Sequence, residues 1–377
     1  MSGENRIRAI LTGLAAVAAR PGEAAERLKR EKGKPLVGVL PYYAPEEIVH
    51  AAGMLPVGVW GGTADASMAG HYFPPFACPL VKSTLDLALR GVYDGLAAMI
   101  VPALCESLTF FGQNFRAARP GIPFVPVVHP QNRRTPEGVA YLRAEYERVR
   151  DRLAEIAGRE VTAADLDRAI GVFNDHRRAM RAFLEEAPRH PSLVSPRVRH
   201  AVAKSAYYMD KADHGALVGE LTGLLKSLPE ESGAGKRVVV TGIMAEPEGL
   251  LDLFEEVGLE ISADDLAQES RAFRTDVPDG GDPLERLARR WSLVEGCSLA
   301  FDPGKERNRI LLDLVRNSGA RGLVVLMIQF CDPEEMDYPL YRKELDAAGV
   351  PVLHLEVEPR MSLEQARTRL QSFAEMI

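Results

Sequence analysis

The stretch Gly322–Leu345, GLVVLMIQFCDPEEMDYPLYRKEL, constrains the fold most. Leu323–Ile328 is an uninterrupted apolar run rich in Val, Leu and Ile. It is far shorter than the ~20 residues of a membrane-spanning helix. Such a run reads as a strand buried on both faces, as in a parallel sheet. Phe330-Cys331-Asp332-Pro333 ends it. Asp332 suits a helix cap and Pro333 a first helical position. Cys331 is thereby expected at the carboxyl end of a buried strand, where open α/β sheets place their ligands. The competing reading is a small buried hydrophobe.

A second stretch repeats the design. Gly95–Leu108, GLAAMIVPALCESL, is again an apolar strand delivering a cysteine, Cys105. Each is followed by a further strand, within Gly121–Val128 and Gly349–Leu355. The chain reads as two diverged copies of one α/β unit, each offering a cysteine from the same position. The fold class expected is α/β, with two Rossmann-like or flavodoxin-like parallel-sheet domains and a helical segment between them.

The expected organisation is an N-terminal helical segment over 1–32, a first α/β domain over 33–130, a helical segment over 131–230 and a second α/β domain over 236–377. In the first unit, strands are expected over 33–41 and 54–60, with Gly61-Gly62 as a flexible exit. Cys78 precedes Pro79 and an apolar stretch at helical spacing, PLVKSTLDLALRG. A cysteine at a helix N-terminus is expected to have a lowered thiol pKa and to suit a metal. The central run predicts helices over 136–187, broken at Gly158 and restarted at Thr162, and one long helix over 196–228. In the second unit, strands are expected at 237–244 and around 259–261. Asp282-Pro283 opens a helix, and Pro339 is expected to restart one.

Several chemistries are excluded. A formal charge of −7 leaves no nucleic-acid footprint. Ala9–Ala19 is interrupted and charge-flanked, which fits an amphipathic first helix better than a signal peptide. Gly233-Ala234-Gly235-Lys236 fails as a phosphate loop, with Glu230 and Arg237 where the pattern needs Gly and Ser or Thr. No G-x-G-x-x-G follows the first strand of either half. His129 and His354 read as strand-end histidines rather than metal ligands. Four cysteines are too few for a disulfide scaffold, and a cytoplasmic chain keeps them reduced. Metal or catalysis is then the reading to test. Cys78, Cys105 and Cys331 without an evident fourth ligand suit an iron–sulfur cluster with one open iron, for redox or Lewis-acid work.

Several stretches together carry a resemblance: Pro45–Ile48, Ala52–Val57, Phe76–Cys78, Ile100–Cys105, Ala263–Arg271, Arg274–Pro283, Phe330–Pro339 and Arg367–Leu370. Across nearly its full length the chain resembles the (R)-2-hydroxyacyl-CoA dehydratase and benzoyl-CoA reductase family. It is most similar to the smaller, beta-type (D-component) subunit of dehydratases acting on hydroxyglutaryl-, hydroxyisocaproyl- or phenyllactyl-CoA. The resemblance implies a heterodimer with a homologous larger alpha subunit, each carrying a [4Fe–4S] cluster on three cysteines, here Cys78, Cys105 and Cys331. Cys297 is a lesser candidate. A separate ATP-dependent iron–sulfur activator would inject one electron, relayed through this subunit's cluster. The acyl-CoA substrate would lie at the subunit interface or in the partner, where a ketyl radical anion loses hydroxide and the electron returns. No catalytic acid or base is assigned. Gln268, Glu269, Arg271 and Arg274 receive no role. The alternatives are a benzoyl-CoA-type reductase subunit, an electron-transfer partner without acyl-CoA chemistry, and a non-catalytic α/β ligand-binding protein.

Overall fold

The computed structural model describes residues 3–40, 43–60, 64–231, 233–247, 249–358 and 361–377. The Gly61-Gly62 exit lies outside the described residues. Helices α1 (Gly3–Ala19) and α2 (Pro21–Lys32) lead into β1 (Leu36–Val39), α3 (Glu46–Ala51), β2 (Leu55–Gly58), α4 (Pro79–Leu89), β3 (Leu96–Pro102), α5 (Glu106–Ala118) and β4 (Phe124–Val127). Four helices follow: α6 (Pro136–Ala157), α7 (Ala163–Glu186), α8 (Pro196–Ser205) and α9 (Lys211–Leu225). The second unit is β5 (Lys236–Gly242), α10 (Leu250–Glu256), β6 (Leu259–Leu266), α11 (Ser270–Phe273), α12 (Pro283–Leu293), α13 (Glu306–Asn317), β7 (Gly322–Ile328), α14 (Asp332–Ala347), β8 (Val352–Val357) and α15 (Leu363–Met376).

The two sheets share one topology. The orders are β2-β1-β3-β4 and β6-β5-β7-β8, and every pairing is parallel. The fold is therefore α/β with two doubly wound sheets. Strands buried on both faces must be apolar throughout, and all seven residues of β7 are buried. In each sheet the chain reverses its winding between the two central strands, β1/β3 and β5/β7. Crevices open at the carboxyl ends of such strands.

Several expectations are corrected. The helix expected over 196–228 is two, because Asp210 caps α9 by accepting from the Ala212 and Asp213 amides at 3.0 and 3.3 Å. Pro339 does not restart a helix; it lies inside a continuous α14. Asp332 is not the cap of α14: Cys331 holds that position and Asp332 is the first helical residue. Elsewhere the local signals are realised, with Thr162 and Asp165 closing a reciprocal cap on α7 and Asp282 accepting from the Glu285 amide ahead of α12.

Buried polar ties fix the two sheets relative to each other. Arg133, after β4, donates to the carbonyls of Trp291 and Ser292 at 2.8 Å and of Phe301 at 3.0 Å. Arg177 of α7 pairs with Glu47 of α3 at 2.8 Å, both buried. Tyr207 donates its hydroxyl to the Gln268 carbonyl, while its own carbonyl accepts from Gly58, both at 3.0 Å. One hydrophobic core runs from α1 through both sheets to α15.

Candidate functional site

Each of the three expected cysteines occupies the N-cap of a helix: Cys78 on α4, Cys105 on α5 and Cys331 on α14. Pro at the first turn of α4 and of α14 preorganises the helix immediately after the cysteine. Cys105 and Cys331 follow equivalent central strands, β3 and β7. Cys78 comes from the loop after β2. That loop is anchored by Asp86, fully buried, which accepts from the Met68 and Ala69 amides at 2.7 and 3.2 Å. Asn114 of α5 holds it from the other side by donating to the Tyr72 carbonyl at 2.8 Å.

Cys331 is presented by a strained turn. Phe330 adopts φ 59°, a conformation that costs a bulky side chain roughly 1–2 kcal/mol. The turn lets the Cys331 amide return to the Ile328 carbonyl at 3.0 Å while the next turn begins, with Glu335 donating to the Cys331 carbonyl at 2.9 Å. Strain of this kind persists only where the surroundings hold it.

The three thiols lie near enough to influence one another's charge. Ionised Cys105 would raise Cys78, and ionised Cys78 and Cys105 would each raise Cys331. First-turn amides point at each sulfur: Leu80 and Val81 at Cys78, Ser107 and Leu108 at Cys105, and Glu334 at Cys331. These amides favour thiolate, but burial outweighs them. The Cys78 thiol is pushed up to about 11, Cys105 is raised, and Cys331 is raised well above the usual thiol range. The lowered pKa expected of Cys78 is therefore corrected: desolvation, the larger effect, reverses its sign. Among the described residues no three His, Cys, Asp or Glu side chains converge as ligands of a single ion.

Cys297 is buried, and Arg271 donates to its sulfur at 3.7 Å. Arg271 belongs to an ionic cluster behind Cys331 that sequence reasoning missed. Glu334, fully buried, accepts from Arg307 at 3.0 and 2.8 Å, from Arg271 at 3.2 Å and from the Ser298 hydroxyl at 2.6 Å. Asp265, also fully buried, accepts from Arg274 at 2.6 Å and Arg307 at 3.2 Å, and lies 3.1 Å from Arg271. Burial alone would raise both acids; the arginines hold each down at about 2. A second cluster at the ends of β5 and β6 joins His200 to Glu269 at 2.8 Å and Arg199 to Glu269 at 2.7 Å and to Asp264.

The polar run Asp264-Asp265-Leu266-Ala267-Gln268-Glu269 was the available signal for both clusters. β6 extends to Leu266, longer than expected, and the run is buried rather than a solvated helix face. His129 is buried against Tyr146, with ring nitrogen and hydroxyl 3.3 Å apart. His354 packs on Tyr338. Burial lowers the pKa of both.

Comparison with known proteins adds the family. The family model for the 2-hydroxyglutaryl-CoA dehydratase D-component matches residues 41–377. The chain is 44% identical over 376 residues to the lactoyl-CoA dehydratase subunit beta of Anaerotignum propionicum, covering 99% of this chain and 100% of the relative. It is 40% identical to the (R)-phenyllactyl-CoA dehydratase beta subunit of Clostridium sporogenes, covering 92% and 93%. It is 38% identical to the (R)-2-hydroxyglutaryl-CoA dehydratase subunit beta of Acidaminococcus fermentans, covering 98% and 100%. With its two parallel sheets and its full-length match, the chain belongs to the 2-hydroxyglutaryl-CoA dehydratase D-component family.

Proposed function

We propose that this chain is the beta subunit of a (R)-2-hydroxyacyl-CoA dehydratase, a hydro-lyase, and that Cys78, Cys105 and Cys331 hold a [4Fe–4S] cluster. The observation that carries the reading is that all three cysteines cap helices of a dehydratase-family fold and influence one another's charge. When bound, the cluster supplies a one-electron relay from an ATP-dependent activator toward the acyl-CoA, and the electron is returned, so the sum is loss of water.

The chain's residues fit that group in two ways. Their donors are sulfur, the usual ligand of such clusters. The helix N-termini add amide dipoles that favour an anionic group. Metal must displace the thiol protons that burial retains, so assembly releases protons. Rigid strand ends and the anchored loop set the sulfur positions, and apolar surroundings exclude water.

The partner is a homologous alpha subunit, as the beta designation of the relatives supports. Phe76, Phe110 and Met336 are 69%, 54% and 75% exposed on the three elements that carry the cysteines. Large apolar side chains so placed suit an interface. The test is anaerobic reconstitution with the larger subunit, the activator, ATP and a reductant. A (R)-2-hydroxyacyl-CoA is expected to yield the 2-enoyl-CoA with no net consumption of reductant per turnover. A product carrying two extra electrons would instead indicate the reductase branch.

A further inference from the structure

Glu334 is tied to Cys331 twice. Its backbone amide points at the Cys331 sulfur. Its side chain, three residues on in the first turn of α14, is gripped by Arg307, Arg271 and Ser298. The grip draws on elements from the whole second unit. Arg307 comes from α13, Arg271 from α11, and Ser298 from the segment after α12. Arg307 also donates to Thr241 of β5 at 3.0 Å and lies 5.0 Å over the Tyr341 ring. The ionised Glu334 carboxylate also raises the Cys331 thiol.

A carboxylate is expensive to bury without partners. An uncharged residue would seat the first turn of α14 at lower cost. The arginines keep Glu334 ionised beside one cysteine in a place shielded from water, where a change of one charge in the network is weakly screened. Net charge and hydrogen bonds to sulfur set the reduction potentials of thiolate-held clusters.

We propose that Glu334 is a positioning residue that aims its amide at Cys331 and whose buried charge lowers the reduction potential of the cluster held there. The inference rests on the cluster reading above and adds a residue to it. Electron uptake adds negative charge, so a fixed carboxylate nearby opposes it and makes the reduced state a stronger donor.

The test is reduction of the purified alpha–beta complex with titanium(III) citrate against mediator dyes under anaerobic conditions. The EPR signal of the reduced cluster and the iron content are the readouts. In E334Q the beta-cluster potential is expected to rise with iron retained. In E335Q, which removes the same charge from the exposed neighbour on α14, the shift is expected to be clearly smaller. R274Q removes a positive charge from the half-buried edge of the network, where Arg274 holds Asp265, and its potential is expected to fall. R274Q carries the test by itself if E334Q does not load iron. An unchanged or lowered potential in E334Q, equal shifts in E334Q and E335Q, or an unchanged or raised potential in R274Q would overturn the proposal. Iron missing from the unsubstituted complex would overturn the cluster reading itself, a result separate from any difference among variants.

Discussion

Arg307 grips both carboxylate oxygens of Glu334, at 3.0 and 2.8 Å, with both side chains almost wholly buried. Arg307 also reaches Asp265 at 3.2 Å. The second sheet's carboxyl end is thus closed by charge rather than by hydrocarbon. Removing Arg307 takes two hydrogen bonds from Glu334 and one from Asp265, leaving Glu334 to Arg271 and Ser298 and Asp265 to Arg274 and Arg271; breaking a buried pair costs about 3–5 kcal/mol. R307M is expected to lower the stability of the chain by that order in urea denaturation. A loss under about 1 kcal/mol would mean that the pair is no tighter than a surface ion pair.

Gly242 ends β5 beside this cluster with φ 146°. A Cβ there would stand 2.3 Å from the Leu326 carbonyl oxygen, a backbone atom of β7 that cannot swing aside. The Gly242 carbonyl also accepts from Arg271 at 3.0 Å. G242A is expected to cost about 2–4 kcal/mol and to shift the β5–β7 register ahead of Cys331. Thermal unfolding, together with proteolysis of the Gln329–Cys331 turn, checks this. A Tm within a degree or two of the parent's would show that the strand ends relax freely.

His200 gives the stability a pH dependence. Burial disfavours its charge, but hydrogen bonds and charge from Glu246 and Glu269 win and raise it to about 9. A raised histidine stabilises fully below its unfolded value, near 6.5, and loses that contribution as pH climbs through the folded value. Stability is expected to fall between pH 6.5 and 9 by up to about 3 kcal/mol. In H200Q the slope over that window is expected to flatten. Denaturant midpoints across the window check it, and an unchanged slope in H200Q would contradict the assignment.

The sheets were legible because parallel strands announce themselves. Leu323–Ile328 and Ala97–Val101 are apolar runs bounded by Gly or Pro, and each ends at a cysteine. The placement of the three cysteines at element ends was legible in the same way, with Pro79 and Pro333 marking where two of the helices begin. The identity of the cap at Cys331 was not, because Asp332 has the stronger propensity and the strained turn at Phe330 overrides it. Nor was the thiols' protonation, which depends on burial contributed by distant segments. The ionic clusters were hidden because Arg307 and Glu334 are far in sequence from Asp265 and Arg271, and each alone reads as surface charge. Pro339 and Asp210 show the limit of local signals: one failed to break a helix and the other divided an apolar run.

The central claim is tested most directly by iron and acid-labile sulfide analysis of the chain purified anaerobically with its larger subunit. C78A, C105A and C331A are each expected to lose the beta-subunit share, about four irons and four sulfides. C297A, whose sulfur lies against Arg271, is expected to keep it. Full iron content in any of the first three, or loss in C297A equal to theirs, would contradict the assignment of Cys78, Cys105 and Cys331 as the cluster ligands.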